Sequence, residues 1–186
     1  MKRFLGLAVM LLFVAALGSA QGIGLKAIGG EVGYNSFSFA SESWGGFVVG
    51  AVADLGELTQ GISLYPSVTY ASASKTIYGA DASVSDLAIN ANVKYAFKGE
   101  SITPYVGAGL GLNFVSSTVN LPSYTILGTT YGGGSVSASD TKIGINLLAG
   151  AQMGFGSMTG FAQAGYNLVS EVNHFQILVG VMVPMK

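Results

Sequence analysis

Apolar and polar residues alternate with a period of two along much of this chain. A β-strand points successive side chains to opposite faces, so this period predicts strands rather than helices. The clearest case is residues 86–97, DLAINANVKYAF, in which Leu, Ile, Ala, Val, Tyr and Phe share one face and Asp, Ala, Asn and Lys share the other. The same alternation occurs at residues 141–155 and 174–183, and all three segments are predicted to be strands.

Weaker alternation predicts five further strands, at residues 25–34, 44–55, 62–72, 102–114 and 160–168. Many of the predicted strands have about the 9–11 residues that a tilted transmembrane strand needs. The pattern therefore indicates an all-β chain of eight strands.

The predicted connections alternate in length. Those at residues 56–60, 98–101 and 156–159 are short. Those at residues 73–85 and 115–140 are long, rich in Ser, Thr and Gly, and predicted to be loops. Short turns on the periplasmic side and longer loops outside the cell are usual in membrane barrels. The two long loops are the predicted sites for surface ligands.

Composition indicates which kind of β protein this is. Charged residues make up 9% of the chain and the mean hydropathy is +0.54, whereas soluble domains are typically about 25% charged. Beyond residue 20 no apolar run is long enough for a membrane helix. Lipid cannot satisfy an open sheet edge, so membrane-spanning strands must close into a barrel. We therefore predict an eight-stranded antiparallel up-and-down transmembrane β-barrel.

A soluble eight-stranded barrel of the lipocalin type shows the same alternation and is the alternative fold. Such a barrel turns its polar face to water and fills that face with Lys and Glu. Here the polar face is mostly Gly, Ala, Ser, Asn and Gln. Because eight strands leave an interior just wide enough for side chains, this composition favours a packed lumen inside a membrane barrel.

Aromatic residues give an independent test, because membrane barrels carry them at both lipid–water interfaces. If both chain termini face the periplasm, the aromatics of the apolar face sort into two levels. The outer level contains Tyr34, Phe47, Tyr70, Phe114, Tyr166 and Phe175, and the inner level contains Tyr95, Phe97 and Phe155. A soluble core would not sort its aromatics by depth.

The N-terminal residues predict export. Two basic residues precede an apolar run at residues 4–17, and small residues at 18–20 form a cleavage site for signal peptidase. The run is shorter than the roughly 20 residues of a membrane-spanning helix. Residues 1–20 are therefore predicted to be a signal peptide, helical over the apolar run and cleaved after Ala20. Residues 21–186 then form one barrel domain, which has no Cys for a lipid anchor or a disulfide.

Four segments resemble the outer-membrane β-barrel family that includes OmpX and the barrel domain of OmpA. They are DLGELTQGISLYPSVTY (54–70), ITPYVGAGLGLNF (102–114), GFAQAGYNL (160–168) and HFQILVGVMVP (174–184). The resemblance covers the whole chain after the signal peptide. It implies a location in the cell outer membrane, with outer-membrane lipid and the outer-membrane assembly machinery as partners. It also implies a C-terminal aromatic residue, and the ending Pro184-Met185-Lys186 departs from that pattern.

A network of polar residues is predicted in the lumen. Its members are Glu31, Asp86, Lys94, Lys142 and Gln152. Charges inside a membrane barrel are costly unless they are paired or hydrated. Depth along the strands predicts Glu31 or Asp86 as the partner of Lys142, and it predicts Asp54 as a partner of Lys94. A plug of paired charge is favoured, and a gate or narrow polar path is the alternative.

No catalytic residue, cofactor or metal site is predicted. His174 is the only histidine, and with no Cys it cannot anchor an ordinary zinc site. Some small outer-membrane barrels are lipid-modifying enzymes with a histidine near the outer rim, so His174, Ser170 and Glu171 form a candidate triad. Neighbours on one short turn rarely reach the mutual geometry of nucleophile, base and orienting acid, and the triad is therefore disfavoured.

Several classes of function are thereby excluded or ranked. Nine acidic residues outnumber eight basic ones, so no basic surface for nucleic acid is expected. The favoured function is a non-enzymatic, monomeric barrel with a structural or surface-interaction role through its outer loops. The alternative is a narrow passive porin-like channel for small solutes, and a lipid-modifying enzyme is less favoured still. The sequence identifies no ligand or solute.

Overall fold

The computed structural model describes residues 23–39, 42–77, 79–97, 99–127 and 129–185. The predicted signal peptide, residues 1–20, lies outside the described residues, so its helix and its cleavage after Ala20 stay predictions. Within the described ranges, no helix is long and apolar enough to cross a membrane.

Nine antiparallel strands form one sheet. They are β1 (Ala27–Phe39), β2 (Glu42–Asp54), β3 (Glu57–Thr59), β4 (Ile62–Ile77), β5 (Ala80–Ala96), β6 (Ile102–Ile126), β7 (Thr129–Phe155), β8 (Met158–Val169) and β9 (Asn173–Pro184). β3 has three residues and lies in the turn between β2 and β4, whereas the other eight strands form the wall. The predicted all-β, eight-stranded antiparallel fold is confirmed.

The sheet closes on itself. β1 pairs with both β2 and β9, and β2 pairs with β4, so each wall strand has a neighbour on both sides. Glu31 on β1, for example, lies opposite Gly50 on β2 and Gly180 on β9. Among the described residues, closure gives every wall strand a hydrogen-bonded neighbour on each side, which is the condition for a strand protein to cross a membrane.

The polar face of the wall lies inside and the apolar face lies outside. On β5, Asp86, Asn90, Asn92 and Lys94 are buried, whereas Leu87 between them is exposed. The outward positions of the other strands are also aliphatic, as at Ile145, Ile177 and Val181. A soluble barrel would have the opposite arrangement, so the orientation of the side chains is that of a membrane barrel.

Two apolar clusters fill the lumen near its ends. The inner cluster contains Val52, Tyr65, Phe161 and Met182. The outer cluster is larger and contains Phe37, Val48, Ala71, Ala73, Val84, Val115, Val172 and Leu178. The buried polar residues of the lumen lie between these clusters or border them.

The predicted loops at residues 73–85 and 115–140 are wrong, because the structure continues the strands through both. β4 and β5 stay paired as far as Ile77 and Ala80, and β6 and β7 stay paired as far as Ile126 and Thr129. Beyond the membrane both faces of a strand meet water, so only a few apolar residues, among them Val119 and Leu121, mark the strand in the sequence. Backbone pairing and the β-branched Val and Thr residues still sustain it.

The opposite end of the barrel has short turns, as predicted. Only Gly156 and Ser157 separate β7 from β8. Gly156 has a φ of 61°, which is the left-handed conformation that a two-residue hairpin turn requires. The contrast between short turns at one end and projecting hairpins at the other gives the barrel an inner and an outer end.

Candidate functional site: a packed lumen and a projecting sheet

The outer surface of the barrel carries the aromatic residues in two levels. All nine aromatics proposed for the lipid–water interfaces lie at outward positions and expose 39–54% of their surface. At the outer level the ring centroids of Phe47 and Tyr70 are 6.2 Å apart. At the inner level Tyr95 and Phe97 meet edge-on with centroids 5.0 Å apart. The band between the levels is aliphatic, as at Val32, Val49, Leu110, Ile145 and Val179.

Lys94 lies in the inner half of the lumen and exposes 2% of its surface. Its Nζ donates a hydrogen bond to Oε1 of Gln152 at 2.9 Å. The same Nζ lies 4.2 Å from the ring centroid of Tyr65 and 4.8 Å from that of Tyr105. Aromatic ring faces attract cations, and more strongly where water is excluded. Two rings and one amide thus surround the ammonium group.

Lys94 and Asp54 do not form the predicted direct ion pair. No carboxylate of the described residues lies within 4.0 Å of the Lys94 ammonium. Asp54 instead accepts a hydrogen bond from the backbone N–H of Gly56 at 2.8 Å and so holds the turn after β2. Depth along a strand fixes the level of a side chain in the barrel, but the stagger of tilted strands decides which side chains meet.

Sequence reasoning missed the two tyrosines that contact Lys94, although the alternation carried the signal. Tyr65, Ser67 and Thr69 are alternate residues of β4 and therefore point to the same face. Ser67 and Thr69 both line the lumen. Tyr105 lies opposite Gly150 on β7. A Cβ atom at Gly150 would approach the Tyr105 hydroxyl to 2.7 Å, so glycine at that position leaves room for the ring.

Asparagine side chains occupy the middle of the lumen. Nδ2 of Asn146 donates hydrogen bonds to Oδ1 of Asn90 at 2.9 Å and to Oδ1 of Asn92 at 3.0 Å. Nδ2 of Asn90 in turn donates to Ser67 Oγ at 3.2 Å and Thr69 Oγ1 at 3.4 Å. These bonds link β4, β5 and β7 across the interior. A network of paired amides and hydroxyls rigidifies a buried polar region.

Glu31 borders a small cavity in the middle of the lumen. That cavity measures about 20 Å³ and is lined by Glu31, the asparagine network, Gln163, Asn167 and Gln176. One water molecule needs at least roughly 10–15 Å³, so the cavity holds about one. The predicted pairing of Glu31 with Lys142 is wrong, because no cationic group of the described residues lies within 4.0 Å of its carboxylate.

Asp86 and His174 meet in the outer half of the lumen. Asp86 Oδ2 is 3.8 Å from His174 Nε2, and both side chains are buried. The His174 ring also packs against Phe37, with centroids 5.2 Å apart. The predicted pairing of Asp86 with Lys142 is therefore wrong, since the ionisable side chain beside Asp86 is His174 on β9.

Lys142 binds the turn between β8 and β9. Its Nζ contacts the carboxylate of Glu171 and donates to the backbone oxygen of Ser170 at 3.0 Å. Glu171 has a φ of 68°, a turn conformation that points its exposed side chain toward Lys142 rather than toward the lumen.

The structure does not bring Ser170, Glu171 and His174 together as a triad, because Glu171 contacts Lys142 and the carboxylate beside His174 is Asp86. In the described part of the chain no group of three or more His, Cys, Asp or Glu residues could hold a metal ion.

The outer ends of β4, β5, β6 and β7 project beyond the rest of the wall as a four-stranded sheet, here called the projecting sheet. β2 pairs with β4 only as far as Ala73, and β7 pairs with β8 only from Gly144 onward. Beyond those points both outside strands of the projecting sheet have an open edge. The β7 edge is the longer one, because β7 begins at Thr129.

A closed barrel with an aliphatic exterior, two aromatic levels and a packed polar interior defines a transmembrane β-barrel protein. The chain belongs to the family described as outer membrane protein beta-barrel domain, which matches residues 4–182. Membership places the chain in the outer membrane. No curated protein matches the chain at a significant level.

Solved structures with the same fold include two small surface barrels. Neisserial surface protein A (NspA) is 22% identical, with 89% of this chain and 100% of NspA covered and a TM-score of 0.66. Ail, the attachment invasion locus protein of Yersinia pestis, solved in complex with the heparin analogue sucrose octasulfate, is 13% identical. The match covers 87% of this chain and 99% of the Ail chain, with a TM-score of 0.52. At these identities the likeness concerns the fold alone.

Proposed function

We propose that this outer-membrane barrel is a non-enzymatic surface-interaction protein that binds an extended segment of a partner polypeptide at the open edge of β7. The observation that carries the proposal is the projecting sheet, in which residues 132–143 pair with β6 on one side only. An exposed sheet edge presents a row of unpaired backbone N–H and C=O groups. A strand from a partner adds to such an edge through main-chain hydrogen bonds.

The two faces of the β6–β7 hairpin indicate which segment fits. The face that continues the lumen side carries Val119, Leu121 and Val136, which are 38%, 50% and 65% exposed. The opposite face carries hydroxyls, among them Thr118 and Ser137, whose oxygen atoms are 3.0 Å apart. A partner strand that alternates apolar and hydroxyl residues would continue both faces. Along the edge at residues 132–143 there is no Pro, and the one Lys is Lys142 at the membrane end, whose ammonium group binds Glu171 and Ser170.

The lumen supports this proposal over a channel for small solutes. Apolar clusters pack inside it toward both ends, and the cavity beside the asparagine network among the described residues has room for about one water molecule. A continuous path for hydrated ions or solutes would require these side chains to move. The separation of Glu171 from His174 counts against the candidate triad of Ser170, Glu171 and His174, because the acid and the base do not meet.

Amide hydrogen exchange tests strand addition directly. The refolded protein in phospholipid vesicles is mixed with a synthetic peptide of alternating Val and Thr residues. We expect slower exchange of the backbone amides of residues 132–143, because a bound strand would protect the donors on that edge. The matched control is the same peptide with alternate backbone nitrogens methylated, which removes donors while keeping the side chains.

The outcomes separate the alternatives. Protection by the unmodified peptide and loss of protection with the methylated peptide would support strand addition. Equal protection by both peptides would mean that nonspecific side-chain contacts, and not backbone hydrogen bonds at the edge, bind the peptide. That result would overturn the proposal. Unchanged exchange at every peptide concentration would overturn it as well.

A further inference from the structure

The outward face of the projecting sheet carries polar residues in register across four strands. Three rows of four residues result, and they are here called the hydroxyl array. From the membrane outward the rows are Ser72, Ser85, Ser116 and Ser139, then Ser74, Ser83, Thr118 and Ser137, then Thr76, Asp81, Asn120 and Ser135. Neighbouring strands lie about 4.8 Å apart and alternate residues about 7 Å apart, so the array is a regular lattice of hydrogen-bonding groups.

Hydrogen bonds between strands order these side chains. Ser139 Oγ donates to Ser116 Oγ at 3.1 Å. Thr76 Oγ1 donates to Asp81 Oδ1 at 2.7 Å. Each bonded hydroxyl keeps further donor or acceptor capacity for an external group. The lattice therefore presents positions fixed by the sheet rather than mobile loop side chains.

The array is almost free of charge. Asp81 is its only ionisable member, whereas water-exposed protein surfaces are about 25–35% Lys, Arg, Glu and Asp. Polarity for solubility alone would be supplied by charged side chains at least as well. A lattice of hydroxyls instead matches a ligand that itself offers many hydroxyls, which is the chemistry of a saccharide.

A polar depression in the array has the size for such a ligand. It measures about 360 Å³ and opens between β4, β5 and β6. Array residues Ser74, Thr76, Asp81, Ser83 and Asn120 line it, together with Lys75 and Ala82. Small-molecule sites commonly begin at about 300 Å³, so a sugar ring fits this volume.

The array continues the lipid-facing surface without a gap. The row below it contains Tyr70, Leu87 and Phe114, which are paired in register and face the membrane at the outer aromatic level. The outermost row lies six residues farther along the strands, or about 15 Å higher once a strand tilt of about 40° is included. The headgroup layer of a phospholipid bilayer is only about 5–8 Å thick on each side. The upper rows therefore stand beyond phospholipid headgroups.

We propose that the hydroxyl array binds the saccharide headgroup of a glycolipid in the outer leaflet of the same membrane. The acyl chains of that lipid would lie against the aliphatic band, and its sugars would reach the rows above the aromatic level. Hydrogen bonds from the array to sugar hydroxyls would orient the projecting sheet on the membrane surface. This inference shares with the proposed function only the outward placement of the projecting sheet, and it does not depend on strand addition at β7.

The test compares two vesicle compositions. One contains phosphatidylcholine with lipopolysaccharide that carries core sugars, and the other contains phosphatidylcholine with lipid A that lacks the core. We expect several-fold slower amide exchange at residues 72–76, 81–85 and 116–120 in the vesicles that carry core sugars. Equal exchange in the two vesicles would overturn the proposal.

Variants show which residues are responsible. The array variant replaces the middle row by Ser83→Ala, Thr118→Val and Ser137→Ala, and its folding is checked by circular dichroism. The control variant carries Ser36→Ala, Ser38→Ala and Ser43→Ala, which remove hydroxyls from the β1–β2 hairpin. We expect the array variant to lose the protection by core sugars and the control variant to keep it. Retention of protection by the array variant would contradict the proposal.

A soluble glycan is the other source of the same chemistry. Free core oligosaccharide is therefore added to wild-type protein in vesicles of phosphatidylcholine alone. Protection equal to that of the lipid-anchored sugar would overturn the assignment to a glycolipid, and absence of protection would support it. The peptide experiment on β7 is scored separately, because its residues and its probe are different.

Discussion

The outward aliphatic side chains of the barrel lie where hydrocarbon surrounds them. Val179 is in the middle of β9, opposite Val32 on β1, and is half exposed. An arginine there would place a guanidinium near the bilayer centre. We expect Val179→Arg to lower the free energy of unfolding by about 2–4 kcal/mol.

The matched control for this change is Val136→Arg. Val136 is also an exposed valine, but it lies on the projecting sheet beyond the membrane. Its replacement should change the free energy of unfolding by less than about 0.5 kcal/mol. Urea unfolding of both variants in lipid vesicles measures the difference. Equal effects at the two positions would contradict the membrane placement of β9.

The ammonium group of Lys94 is buried against two tyrosine rings and one amide. We expect Lys94→Ala to lower the free energy of unfolding by about 2–4 kcal/mol, since a charged hydrogen bond and a desolvated cation–π contact are both lost. Lys75→Ala is the control, because Lys75 makes its ion pair with Glu42 in water. Unfolding in urea should show a much smaller change for the control. A similar change in both variants would contradict the structural role of Lys94.

The same exposed ion pair changes the pKa of Glu42 at the outer rim. Lys75 Nζ donates to Glu42 Oε2 at 2.8 Å, and Trp44 also donates to that oxygen at 3.2 Å. The hydrogen bond from Lys75, together with that from Trp44 and the charge of Lys75, holds the pKa of Glu42 below its usual range. Because both groups are open to water, the pair contributes little to stability, which is why Lys75 is a suitable control.

At the scale of elements, the projecting hairpin of β6 and β7 is expected to be dispensable for the barrel. Its residues pair with one another outside the closed wall. Replacement of residues 119–136 by an Asn-Gly turn, which suits a two-residue hairpin, should leave the thermal midpoint of the barrel nearly unchanged. The same variant should bind the Val-Thr peptide more weakly, because it keeps only residues 137–143 of the open edge. Thermal unfolding followed by circular dichroism measures the first outcome, and a large fall in the midpoint would show that the hairpin supports the barrel.

The membrane part of each strand could be predicted because lipid imposes an apolar face. The alternation in residues 86–97 therefore predicted both the strand and which of its two faces points toward lipid. Residues 115–126 carry this signal only weakly, at Val119 and Leu121, since both faces there meet water, and the strand depends on pairing with β7. The alternation of apolar and polar residues also predicted that Lys94 faces the lumen, but it did not predict which residues Lys94 contacts. Those contacts depend on closure and strand stagger, which no local pattern in the sequence records.

At the scale of the whole molecule, the lumen is divided into three layers. Apolar clusters lie toward the inner and outer ends, and the asparagine network lies between them. Each layer is formed by side chains from several strands, so closure of the barrel and filling of the lumen depend on each other. An interior of this kind stabilises the wall, and both binding sites that we propose lie outside it, on the projecting sheet.

The central claim, a closed barrel that acts at the cell surface, is tested most directly by electrical conductance. The purified, refolded protein is inserted into a planar lipid bilayer under an applied voltage, with a large porin as the positive control for insertion. We expect a nearly silent trace, because the cavity of about 20 Å³ between the two apolar clusters cannot pass hydrated ions. Steady, weakly selective current steps from the wild-type protein would contradict the closed lumen and would favour a passive channel.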